Sequence, residues 1–138
     1  MTYEELMNFI KKRKSTLISV VDSNGFPNIK AMMLPRKIEN NIFYFSTNTS
    51  SQSVAFYEEN PKASIYFFEK GTFNYEGVML IGEMEVCYDQ KTKDEIWQFG
   101  DKIYYKNGVT DPDYCVLKFT ARKGRHYKNF KKETFDIK

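Results

Sequence analysis

A mainly β fold with peripheral helices is predicted by three features of this sequence. Short β-branched and aromatic runs recur along it, turn residues separate neighbouring runs at close spacing, and only brief stretches carry helical periodicity. Six such runs, mostly antiparallel, predict a small barrel, closed or nearly so. The 138 residues, 41% apolar and 17% aromatic, are enough for one domain spanning 1–138 with a sizeable core. A disordered or fibrous chain is excluded by that composition.

In order, Thr2 and Glu5 have the spacing of a capping box. Leu6, Phe9 and Ile10 follow at helical spacing, and Lys11 to Lys14 suit the negative end of the dipole. The first strand is Leu17–Val21, closed by the turn residues Asp22 to Gly25. A second extended run covers Asn28 to Arg36, and Glu39-Asn40-Asn41 turns the chain into a third, Ile42–Ser46. Tight spacing predicts that these three form an antiparallel meander. Ser50 or Ser51 caps a short helix carrying Val54, Phe56 and Tyr57, which stops at Asn60-Pro61.

Ala63–Phe68 is the fourth strand and Tyr75–Tyr88 the fifth, with Val78, Leu80, Met84 and Val86 on one face. Gly82 interrupts it, where a bulge or a close backbone approach is expected. A helix is predicted from Asp89 to Gly100, with Thr92 and Glu95 as a second capping box and Ile96, Trp97 and Phe99 as packing groups. After a loop through Asp111-Pro112-Asp113 comes the last strand, Tyr114–Ala121. The remainder reads as a polar, basic tail with Tyr127, Phe130 and Phe135 as anchors.

Net charge is only +3 but unevenly spread: residues 118–138 carry eight bases against two acids, and the first 117 are net acidic. That acidic majority argues against nucleic acid as the partner, and the tail also fits a solvated face. No apolar run reaches the roughly 18 residues of a membrane span, and the N-terminus has acids before bases, the reverse of a secretory signal. A cytoplasmic protein is expected. Cys87 and Cys115, with a single histidine, do not supply the ligand set or spacing of a structural zinc site, and both sit in strand-like runs as small hydrophobes.

The equipment of hydrolysis is missing. His126 lies in the basic tail with no acid near it in sequence, and there is no nucleophile elbow, Walker loop or dinucleotide fingerprint. What remains is the polar run Ser46 to Ser53, between a strand end and a helix start, where N–H groups, hydroxyls and the helix dipole suit a phosphate. Lys30 is the candidate cation, its plain alternative being a solvent-facing strand lysine.

Gly25-x-Pro27, Lys30-x-Met32, Phe43 to Asn48, Ser50-Ser51 and Glu59-Asn60-Pro61-Lys62-Ala63, in this order, resemble the pyridoxamine 5′-phosphate oxidase-like proteins, and among them the general stress protein 26-like branch. The resemblance implies a six-stranded antiparallel split β-barrel of the FMN-binding type, working as a homodimer with the flavin at the subunit interface. It implies that Lys30, Ser46, Thr47, Ser51, Gln52 and Ser53 hold the flavin phosphate and that Ala31 and Met32 lie along the isoalloxazine ring. Trp97, Tyr104 and Tyr105 would line the flavin edge from the partner subunit, or pack a core.

The pattern departs from the family at Gln52 and Ser53, where cations are common; Lys30, or Arg36 with Lys37, would have to compensate, or FMN would bind weakly. The tail does not match the basic, aromatic segment with which the oxidase binds its pyridoxine substrate, so oxidation of vitamin B6 is not expected. Two functions follow: an FMN-dependent oxidoreductase with NAD(P)H as electron donor, or a module that binds or senses flavin, or a related planar ligand, without turnover.

Overall fold

The computed structural model describes residues 1–137, in the order α1 (Tyr3–Lys11), β1 (Thr16–Val21), β2 (Pro27–Met32), β3 (Lys37–Glu39), β4 (Ile42–Asn48), α2 (Gln52–Glu59), β5 (Lys62–Lys70), β6 (Tyr75–Cys87), α3 (Gln90–Ile96), β7 (Tyr114–Lys128) and β8 (Lys131–Asp136). The expected antiparallel β fold is present, with eight strands rather than six. The sheet runs β2-β1-β5-β6-β7-β4-β3, with β8 paired to β7, and its ends do not join, so it is open. No helix among the described residues is long and apolar enough to cross a membrane.

Thr2 caps α1 by accepting from the Glu5 N–H at 3.1 Å, and Leu6, Phe9 and Ile10 face the core as their spacing requires. That core is continuous across the curled sheet: Ile18, Val20, Phe43, Phe45, Ile65, Phe67, Val78, Leu80, Leu117 and Phe119 form one cluster with Tyr57 of α2. Burial of the inner face is therefore what holds the open sheet together in place of a closing ladder. A second, smaller cluster lies under α3, where Trp97 packs edge-on and Tyr105 at a tilt against Tyr114, at 5.2 and 4.9 Å between ring centroids.

The bulge falls between Ile81 and Gly82. A side chain there is impossible, because a Cβ at residue 82 would lie 1.9 Å from the Thr120 carbonyl oxygen. Asn40 turns β3 into β4 with φ of 56°, a conformation asparagine tolerates.

Several expectations are corrected. The first three runs do not form a meander: β2 pairs only with β1, while β4 pairs with β3 and β7. The second run ends at Met32, four residues short, because Pro35 has no N–H to donate; Arg36 and Lys37 join β4 instead. The cap of α3 is Asp89, which accepts from both the N–H and the hydroxyl of Thr92; the helix stops at Ile96, and Phe99 is fully exposed. The basic tail is not a tail. β7 continues to Lys128, and Asn129 and Phe130, both at positive φ, turn it into β8. Phe135 is the anchor that holds, its ring lying where Gly124 has no Cβ, whereas Phe130 is exposed.

Candidate functional site

Cross-strand pairs share a face, so register decides where each candidate side chain points. Lys30 pairs with Ile18, which pairs with Ile65, and both isoleucines are core residues. Lys30 therefore lies on the inner face of the sheet, at the free edge of β2. The residue is exposed, yet partial desolvation there holds its ammonium below the usual lysine value. Met32, two residues on, shares that face and packs against the core; Ala31 lies on the outer face.

Helix α2 covers the same inner face. Tyr57 reaches from it into the core and donates its hydroxyl to the Ser19 carbonyl of β1 at 2.7 Å, and burial pushes that phenol up. Ser23, in the β1–β2 turn, donates to Glu59 in the same last turn of α2 at 3.1 Å. Lys30 and α2 thus occupy one side of the sheet at its β1–β2 end. The α2 N-terminus has no side-chain cap and no acid in its first turn, leaving the first N–H groups to an external acceptor. Gln52 is exposed and Ser51 and Ser53 are half-buried at that end.

The expected phosphate residues divide between two faces. Thr47 is buried on the face of Phe43 and Phe45. Ser46 points the opposite way, beside Val116 and toward the aromatic cluster beneath α3, and its Oγ is buried with no hydrogen-bond partner. The structure brings Thr47, Ser51, Gln52 and Ser53 to one strand–helix junction and places Lys30 on the same side of the sheet; Ser46 looks away from them.

Of the cations considered as substitutes at the junction, two are already engaged. Arg36 is paired with Asp101 at 2.9 Å, both side chains buried, and Lys37 with Glu39 at 3.1 Å. Lys30 makes no ion pair among the described residues. Trp97 is half-buried and Tyr105 buried in the small aromatic cluster, so packing accounts for both, while Tyr104 is exposed.

Two features were missed in the sequence. His126 does have an acid: Glu76, fifty positions away, lies 2.7 Å from its Nε2 across the β6–β7 ladder. Asp113 reaches the polar loop, accepting from the Ser50 N–H at 2.8 Å and from the Asn48 amide at 2.9 Å. Both contacts join segments distant along the chain and leave no local spacing to find. The thiols of Cys87 and Cys115 are buried, and burial pushes Cys87 up to about 11.

A family model described as pyridoxamine 5′-phosphate oxidase like matches residues 2–137. A solved protein related to general stress protein 26, of the pyridoxinephosphate oxidase family from Clostridium acetobutylicum, is 38% identical with a TM-score of 0.85, over 97% of this chain and 93% of that one. The general stress protein 26 of Bacillus anthracis is 19% identical with a TM-score of 0.76 over 97% of each chain. A heme binding protein from Mycobacterium smegmatis shares the fold at 12% identity and TM-score 0.74, over 99% of this chain and 58% of that one. No curated protein matches the chain by sequence.

Proposed function

The chain belongs to the pyridoxamine 5′-phosphate oxidase-like family, and from that premise we propose that it binds FMN and works as a flavin-dependent oxidoreductase that does not oxidise vitamin B6. The observation that carries this is the position of Lys30, which makes no ion pair among the described residues, on the sheet face that α2 covers through Tyr57. Lys30 and the N–H groups at Gln52 and Ser53 would hold the phosphate, with Thr47 and Ser51 beside them. Ala31 and Met32 would lie along the ring. Bound flavin supplies the hydride or electron transfer, with NAD(P)H as donor, so no protein base is required.

A homodimer with the flavin at the subunit interface, in the cytoplasm, completes the proposal. It is supported by the outer face of the sheet, where Ala31, Leu17, Tyr66 and Met79 form one cross-strand row and Ile29 is 73% exposed on the free strand. An apolar strand edge left open to solvent favours a covering partner.

The absorbance spectrum of the purified protein, incubated with FMN and desalted, tests the enzyme. Bands near roughly 375 and 450 nm, together with NAD(P)H consumption that depends on them, are expected. The contact of Asp113 with Ser50 and Asn48 favours a second function, a flavin-binding or sensing module of weak FMN affinity. Saturable binding without any NAD(P)H consumption would select it.

A further inference from the structure

We propose that Asp113 is the specificity-determining residue of this site: its carboxylate limits how much a ligand's phosphate contributes to binding, so FMN gains little over riboflavin. The inference rests on the flavin proposal above.

Asp113 and its neighbour take three consecutive residues, Asn48 at the end of β4 and the two that follow it. One carboxylate oxygen accepts from the Asn48 amide at 2.9 Å and the other from the Ser50 N–H at 2.8 Å. The Asp113 carbonyl accepts from the Thr49 N–H at 2.8 Å, and the Thr49 hydroxyl donates to the Pro112 carbonyl at 3.1 Å. Those donors lie between Thr47 and Ser51, and the chain has already committed them. The chain already supplies an anion there.

Nor is Asp113 free to swing aside. Its own N–H donates to Asp111 at 2.9 Å, and the other Asp111 oxygen holds the Asn107 N–H at 3.1 Å. The Asp111 carbonyl accepts from the Lys93 ammonium at 3.0 Å, and Lys93 is only 6% exposed. A buried lysine thus pins the turn that carries the acid. The hydrogen bonds from Asn48 and Ser50 hold the Asp113 carboxyl below the usual aspartate range, which keeps it charged at neutral pH.

No cation in the loop offsets that charge, since residues 47–53 carry none and Arg36 and Lys37 are paired elsewhere. A phosphate reaching the first turn of α2 would meet the carboxylate held at Ser50, two residues before Gln52. A ribityl hydroxyl, being neutral, would not be repelled. The acid therefore acts on the phosphate and leaves the rest of the flavin alone, which a merely structural clamp would not do.

The test compares FMN and riboflavin affinities of the full chain by quenching of flavin fluorescence, for the unaltered protein, Asp113→Asn and Asp113→Ser. The second variant keeps an acceptor oxygen should the first not fold. Loss of the charge is expected to tighten FMN about fivefold, the scale of one nearby charge in a solvated site, and to leave riboflavin unchanged. A parallel titration with inorganic phosphate, read from the amide resonances of Ser50 to Val54, is expected to show the same gain. If both flavins shift alike, or if neither shifts, Asp113 does not determine specificity. Should the unaltered protein bind neither flavin, the flavin proposal fails by itself and the phosphate titration decides the role of Asp113. Equal phosphate binding in variant and parent would then overturn it.

Discussion

Strands β6 and β2 are each at least half apolar and end in opposite conditions. On β6, Val78 and Leu80 are fully buried, with β5 and β7 paired on either side. On β2, every residue is exposed except Met32, and one edge has no partner strand. The difference teaches where the chain completes its own structure and where it does not. Packing stabilises the centre, whereas the edge carries Lys30, Ala31 and Met32, the residues assigned to a flavin.

The comparison breaks most visibly at the centre. Leu80→Ala should cost about 3 kcal/mol in denaturant unfolding, since it empties a fully enclosed site, and a loss under about 1 kcal/mol would show that the core is not tight there. At the edge, Lys30→Ala should leave the melting temperature nearly unchanged yet weaken FMN by at least about 1.5 kcal/mol, as for hydrogen bonds to charged groups. Lys37→Ala is the control, its ammonium already paired with Glu39, and should not alter FMN affinity. Gln52→Arg with Ser53→Lys should tighten binding if the phosphate lies at the start of α2.

Between the two regions lies α2, tied to β1 by the Tyr57 hydroxyl. Tyr57→Phe should cost about 1 kcal/mol in stability, the net worth of one such bond. The smallest expected effect is in acid. Because the Asp113 pKa is depressed, the order it gives the loop is fully present above 3.8, the ordinary aspartate value, and is lost only as pH falls through the lower folded value. The ratio of the Ser50 amide exchange rate to that in Asp113→Asn should therefore be constant from neutral pH to pH 5 and rise below pH 3.8.

Local chemistry was legible in the sequence. The Thr2 cap, the Gly82 bulge, the Asn40 turn and the alternation of β6 each follow from residues adjacent in the chain. Strand β8 was not legible, because its outward residues are Lys132, Thr134 and Asp136 and the one apolar residue on its inward face is Phe135, too little to mark a period. Phe99 misled because helical spacing continued past the point where Trp97 turns extended. The strand–helix junction of the site was visible in its polar run. Its acid was not, since Asp113 meets Ser50 only after β4 and β7 have paired.

Most direct for the central claim is an equilibrium titration of FMN with purified protein, read by flavin fluorescence, because it captures weak as well as tight binding. The account predicts saturable quenching at one flavin per chain with a dissociation constant below about 100 μM, weakened at least tenfold in Lys30→Ala. Absence of quenching at that concentration, or quenching that Lys30→Ala leaves unaltered, would contradict it.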